Sequence, residues 1–300
     1  MSCSKESTPV KRILITGKTS WIGDELERHL QNFPNAYVVE RVSLRDSLWE
    51  TANWDDYDSV VHTAAIAHDG EEDERCVQDV NVELTRKVGL KAKQHGVPHM
   101  IFLSSFHVYA ADKNGDVIVD QSTKPNPTTL YGKSKLAAEG QLAELQDKGF
   151  SVAILRPPLV YGPYCTKRNF PRFIKLASIT PIFPNVANKR SMIYSRNLAE
   201  LMRLLIENGD GGIYLPQNEN LVCTSDMIVR IGEELGRRIR LSNALAPAVS
   251  FLARRKSTLG KLFGNAYYMP EISKYKYNYQ IVSYGESIRE SVARRSAGVR

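Results

Sequence analysis

Cysteine is scarce in this chain. The four cysteines, Cys3, Cys76, Cys165 and Cys223, stand at long spacings with no C-x-x-C pair, which argues against both a disulfide framework and a zinc site, so no metal is expected. Long apolar runs are missing as well. The stretch 244–253 is broken by Pro247 and falls well short of the roughly 20 residues that span a bilayer. The leader MSCSKESTPVKR lacks the apolar centre of a secretory signal, so it reads as a short frayed segment and the protein as cytoplasmic. Nothing resembles a collagen-like, coiled-coil or low-complexity sequence, and no repeat recurs at a period of about 20 to 50 residues.

What is present suits a large single fold or two lobes sharing a cleft. The 300 residues are 42% hydrophobic and 24% charged, enough apolar side chain for a sizeable core. Forty Lys and Arg against 33 Asp and Glu give a net charge of +7. The excess is local: from Arg230 onward there are 14 basic and 5 acidic residues, a local +9, which leaves the first 229 residues at −2. A basic end of this kind either attracts phosphates or an anionic surface, or is a solvated face, the commoner outcome. No nucleic-acid partner is expected.

Short apolar, β-branched runs recur at 11–16, 37–42, 59–62, 99–103 and 152–155, separated by polar, helix-compatible segments. This alternation predicts an α/β fold with a parallel sheet covered on both faces. Helices are predicted over 24–30, 79–95 and 131–148, the last with Gly149 as its C-cap. After Arg156 proline becomes frequent and the alternation breaks down, which predicts a second, smaller lobe. In it, 197–208 and 225–235 read as helices, the latter capped by Ser225, and 212–215 as a strand that rejoins the sheet. The expected division is residues 1–156 and 157–300, with a segment near 190–216 returning to the first domain.

Three signals carry chemistry. Gly17, Ser20, Trp21, Ile22 and Gly23 lie between the first strand and the first helix, where helix amides hold a pyrophosphate, although the same residues also suit an ordinary turn. Tyr131 and Lys135 are four apart on a helix and share a face. A lysine beside a tyrosine favours the phenolate, lowering a pKa of about 10 towards the range of a general acid or base; a surface pair on an amphipathic helix is the alternative. Ser104 and Ser105 end an apolar strand at the sheet edge where ligands bind in open parallel sheets.

These motifs, with Val60-Val61-His62-Thr63-Ala64-Ala65, Asn81-Val82, Val108-Tyr109, Arg156-Pro157-Pro158 and Arg190-Ser191-Met192, occur in an order that resembles the extended short-chain dehydrogenase/reductases acting on nucleotide sugars. The resemblance covers nearly the whole chain and implies a Rossmann-type doubly wound sheet with a smaller C-terminal substrate lobe. It implies Tyr131 as acid/base, Lys135 lowering its pKa and binding the nicotinamide ribose, and Ser105 orienting a sugar hydroxyl. It also implies that Gly17, Ser20, Trp21, Ile22 and Gly23 hold the pyrophosphate, that Ala64, Ala65 and Ser104 line the nicotinamide half, and that Pro157 packs near its ring. Arg190 would grip a substrate diphosphate, with His107 and Asn169 beside the substrate. The expected activity is a nucleotide-sugar 4-epimerase, with a 4-keto-sugar reductase and a non-catalytic dinucleotide-binding regulator as rivals.

The sequence departs from the family at two places. Leu159 stands where sugar 4-epimerases often have asparagine, and the second phosphate-gripping arginine has no counterpart among residues 275–284. The acid that holds an adenosine ribose is represented only by Glu40 or Asp46, flanked by Arg41 and Arg45, which suit a 2′-phosphate. The cofactor is therefore expected to be NAD, with NADP open. A homodimer and a weak association with membrane surfaces through residues 244–261 also stay open. His62, His68 and Cys165 are expected to be structural or incidental, and Tyr275, Tyr277, Tyr279 and Tyr284 alternate as an edge strand would.

Overall fold

The structure, a computed structural model, describes residues 9–66, 73–112, 115–165, 169–255 and 257–297. Residues 1–8 of the leader, with Cys3, and His68 lie outside the described residues, while Lys11 and Arg12, at the end of the leader, begin β1. In chain order the elements are β1 (Lys11–Thr16), α1 (Trp21–Leu30), β2 (Tyr37–Val42), α2 (Leu48–Thr51), β3 (Ser59–His62) and α3 (Glu74–Gln78). A π turn over Asp79–Glu83 leads into α4 (Leu84–Gln94), then β4 (His99–Leu103), β5 (Val117–Val119), α5 (Leu130–Ala143), β6 (Ser151–Leu155) and β7 (Leu159–Tyr161). There follow α6 (Asn169–Ile179), β8 (Ile182–Pro184), β9 (Met192–Tyr194), α7 (Ser195–Asn208), β10 (Gly212–Tyr214) and α8 (Thr224–Glu234). The chain finishes with β11 (Arg240–Ser242), α9 (Ala246–Arg255), α10 (Ser257–Phe263), β12 (Ala266–Tyr268) and α11 (Tyr284–Ala297).

The chain divides into two compact units. The first comprises the residues up to Ser104, Lys133–Leu155 and Ala199–Tyr214; the second comprises Ser105–Gly132, Arg156–Leu198 and the residues from Leu215 on. The units interleave: residues 105–132 belong to the second and residues 199–214 to the first. Residues 105–132 group with the second unit because the chain leaves the sheet at Ser104, the last hydrogen-bonded position beside β6.

The first unit is built on a six-stranded parallel sheet in the order β10-β6-β4-β3-β1-β2. Its central strands are buried along their length, as expected when helices cover both faces. Leu14, Val60, Met100, Phe102, Val152 and Ile154 project to one face and pack with Val88 and Ala92 of α4 and Ala138 and Leu142 of α5. Gly89 lets α4 approach α5: a Cβ there would stand 2.6 Å from Leu142. On the other face α1 and α7 are joined by His29, whose ring meets Glu200 at 2.7 Å, and by Arg203, which closes on the same carboxylate at 2.7 Å. That buried pairing holds the Glu200 carboxyl down at about 2, against the opposing pull of its desolvation.

In the second unit three two-stranded parallel ladders, β7 with β9, β8 with β11 and β12 with β5, replace a continuous sheet. Three local expectations change here and in the first unit. The helix expected over 225–235 starts one residue earlier, and Ser225 does not cap it, because its hydroxyl serves Val186 N at 3.0 Å and Pro184 O at 2.9 Å. The helix expected over 131–148 ends at Ala143, since the Asp147 carboxylate takes the amides of Gly149 and Phe150 into a turn. The tyrosines of 275–284 form no strand; Tyr279 is buried with its hydroxyl on Ser273 O at 2.8 Å.

Candidate active site

β1 ends in a turn that only glycine can make. Gly17 has φ +89°, and a Cβ there would lie 2.9 Å from both Ala64 N and Thr63 Oγ1. Ser20 caps α1, its Oγ accepting from Gly23 N at 3.3 Å. Gly23 lets the helix lie on the sheet, since a Cβ would meet Ile15 at 3.1 Å. Trp21 and Ile22 open the helix, whose first amides and positive end favour an anion. The cradle therefore fits a dinucleotide's pyrophosphate.

The structure gives Arg41 a different task from receiving a 2′-phosphate. Its guanidinium reaches from β2 beneath the glycine turn and donates to Gly17 O at 3.2 Å and Ser20 O at 3.1 Å. The same group pairs with Asp24 and, at 3.6 Å, with Glu27. Arg45 is exposed. Of the acids considered for the ribose, Glu40 turns to Arg12 at 2.9 Å, and Asp46 accepts from Leu48 N at 3.0 Å.

The loop after β3 is held by residues from three elements. Thr63 Oγ1 donates to Thr16 O at 2.6 Å. Asn81, fully buried in the π turn, accepts from Ile66 N at 2.8 Å and donates to Ile66 O at 2.9 Å and to Ser134 Oγ at 3.0 Å. The wide turn aims this side chain back at the loop, a use of π turns that recurs at functional sites; Ala64 lies beside the glycine turn, and Ala65 follows it, exposed. His62 is structural: its ring meets Thr16 Oγ1 at 2.6 Å and Thr85 Oγ1 at 3.0 Å and stacks on Phe102. Burial, and then the Lys135 charge, push its pKa down to about 3.

At the end of β4, Lys135 Nζ donates to Leu103 O at 2.7 Å and lies 4.6 Å from the centre of the Phe102 ring. Ser104 donates its hydroxyl to Glu139, and both are buried. Glu139 is a residue that sequence reasoning missed. The signal was available: Tyr131, Lys135 and Glu139 follow one another at i, i+4 and i+8 on α5.

In the second unit Ser105 turns out of the strand and starts a 3-10 turn over Phe106–Val108, its Oγ accepting from His107 N at 3.2 Å. The exposed His107 ring meets the Tyr131 ring edge to face at 5.9 Å. Pro157 is buried and its carbonyl accepts from Phe106 N at 3.0 Å, tying the segment after β6 to the serine turn. Arg190 is mostly buried and donates to Gly264 O at 3.1 Å; burial lowers its pKa. The backbone of Asn169 opens α6, and its side chain lies outside those described. A cavity of about 470 Å³ near Arg190 in the chain is lined by Asn188, Lys189, Cys223, Asp226 and Tyr267 among others, none of them singled out from the sequence. Among the described residues no cluster of histidine, cysteine and carboxylates fits a metal ion, and no helix is long and apolar enough to cross a membrane.

The same geometry connects the chain to known proteins. Residues 13–215 match the family described as NAD dependent epimerase/dehydratase family. A UDP-glucose 4-epimerase of Vibrio cholerae is 31% identical over 75% of this chain and 76% of its own length. An N-acetyl-alpha-D-glucosaminyl-diphospho-ditrans,octacis-undecaprenol 4-epimerase of Escherichia coli O157:H7 is 27% identical over 61% of this chain and 56% of its own. The crystal structure of a UDP-glucuronic acid 4-epimerase from Bacillus cereus in complex with NAD superposes with a TM-score of 0.73 over 96% of this chain and all of that one, at 18% identity. With the glycine turn, the parallel sheet and the sequence match all falling within one continuous region, the protein belongs to the NAD-dependent epimerase/dehydratase family.

Proposed function

We propose that the protein is a 4-epimerase of a hexose or N-acetylhexosamine carried on a diphosphate, most simply a UDP-sugar. The observation that carries this reading is the placement of Tyr131 and Lys135 one turn apart at the start of α5, together with the 31% identical UDP-glucose 4-epimerase. Tyr131 takes the proton of the sugar hydroxyl and returns it. Lys135, a buried ammonium on the same helix, favours the phenolate that does so. Ser105, whose oxygen is oriented by His107 N–H, directs its own O–H to the sugar oxygen. A nicotinamide dinucleotide held by the Gly17–Ser20 turn supplies reversible hydride transfer. Arg190 takes the diphosphate, because a planar fork of donors suits paired phosphate oxygens.

Incubation with a panel of UDP- and dTDP-sugars, and with N-acetylglucosaminyl diphosphoundecaprenol, with and without added dinucleotide, tests the reading. Interconversion of 4-epimers without net NADH consumption is expected, falling by about a thousandfold in Tyr131→Phe. Stoichiometric NAD(P)H oxidation with a 4-keto sugar would make the protein a reductase. Activity left intact in Tyr131→Phe would remove the acid/base assignment altogether.

A further inference from the structure

The basic end of the chain contains a stretch that the proposed catalysis does not use. Between Glu234 and Glu271 lie 36 residues without a single Asp or Glu and with seven Lys or Arg. This acid-free stretch includes β11, α9, α10 and β12, all in the second unit.

Its helix α9 carries an exposed apolar stripe. On α9 and the residue before it, Leu245, Ala248, Phe251 and Leu252 follow the i, i+3/i+4, i+7 spacing of one helical stripe, and all four are exposed, Phe251 at 56% and Leu252 at 39%. A core helix buries such a stripe; here it faces out. The ladder that leads into α9 along the chain also exposes apolar and basic side chains. Ile182 of β8 and Arg240 of β11 are register partners, so their side chains leave the ladder on the same side, and both are exposed. Ile179, at the end of α6, is 64% exposed, and Arg237 and Arg238 are exposed just before β11.

We propose that the apolar stripe of α9, with the exposed arginines of the segment that leads into it, docks on an anionic lipid bilayer, the stripe entering the headgroup boundary while the arginines meet lipid phosphates. Charge selects this occupant. A second copy of the same face would bring two net-basic stretches together, which like-charge repulsion opposes. A nucleic acid would use the cations but has no need of an exposed phenylalanine and leucine on a helix. Interfacial helices combine both features, with apolar residues on one side and Lys or Arg along the rim.

The test uses the whole purified protein and vesicles of phosphatidylglycerol with phosphatidylcholine, or of phosphatidylcholine alone, at low and high salt. Because it contains no sugar, its outcome is independent of the epimerase reading. Flotation with the anionic vesicles is expected, with only weak partition onto neutral ones. Arg238→Ser with Arg240→Ser should weaken binding about fivefold per arginine, on anionic vesicles only. Phe251→Ser with Leu252→Ser should reduce it by more than tenfold at either salt, with an unchanged melting temperature. Absence of flotation at low salt overturns the proposal. So does binding that the Phe251/Leu252 pair leaves intact and heparin displaces, which would mark a site for a soluble polyanion. A dimer that dissociates in the same apolar variant would show that a second copy covers the face instead.

Discussion

The carbonyl oxygen of His107 occupies the space where a side chain at position 132 would begin: a Cβ on Gly132 would lie 2.1 Å from it. Gly132 therefore serves close approach between the start of α5 and the serine turn. Because the obstacle is backbone, it cannot swing aside.

Gly132→Ala is accordingly expected to destabilise the protein by about 1–3 kcal/mol and to lower turnover by more than the loss of folded protein explains, since the substitution moves Tyr131 away from His107. Urea midpoints read beside turnover per folded molecule check this. An alanine variant with unchanged midpoint and rate would show that the turn yields freely.

Arg41 ties two carbonyls of the glycine turn from below. Arg41→Met should raise the dissociation constant of NAD and NADP alike, by about tenfold, the worth of one hydrogen bond to a charged donor. Fluorescence titration with the two reduced dinucleotides separates this from the alternative. A loss confined to the phosphorylated dinucleotide would place the guanidinium on the 2′-phosphate.

Two histidines are buried uncharged. His62 is pushed down to about 3, and His99, between Ser59 Oγ and Asp210 O, to about 4, burial leading in each case. The unfolded chain binds protons at these groups from about pH 6.5 downward and the folded protein does not, so stability is full above that pH and falls as pH drops towards 4. Each histidine contributes a slope of about 1.4 kcal/mol per pH unit within this window. Denaturation at pH 7, 6 and 5 should show the decline, and His99→Gln should reduce its slope by about half. A flat profile for the wild type between pH 7 and 5 would contradict the buried neutral state.

Glu139 accepts the hydroxyl of Ser104 in the interior beneath Lys135. Glu139→Leu is expected to cost about 2 kcal/mol by stranding a buried hydroxyl, whereas Glu139→Gln keeps an acceptor and should cost less than half of that. Equal midpoints for the two variants would remove the hydrogen bond from the account.

The five strands of the first unit up to β6 were legible because each is a short apolar run whose neighbours along the chain supply its pattern. The glycine turn and the Tyr131, Lys135 spacing were legible for the same reason. What escaped lay in pairings between distant residues. Ser225 suits a helix cap by type, yet Pro184 and Val186, about 40 positions away, take its hydroxyl. The alternating tyrosines of 275–284 suit a strand, yet Tyr279 is held by Ser273 and Gln217 carbonyls and no strand neighbour lies beside them.

By itself, then, the sequence determined the five strands of the first unit up to β6, where the glycine turn after β1 lies and which side chains share the first turns of α5, since all three depend on local periodicity and on glycine's backbone freedom. Only the tertiary structure decided that Arg41 supports the glycine turn, that Glu139 receives Ser104, that His107 excludes a side chain at Gly132, and that the apolar stripe of α9 faces outward. Each of these depends on which elements pack together, and that is set by burial of the whole core rather than by any residue's neighbours in the chain.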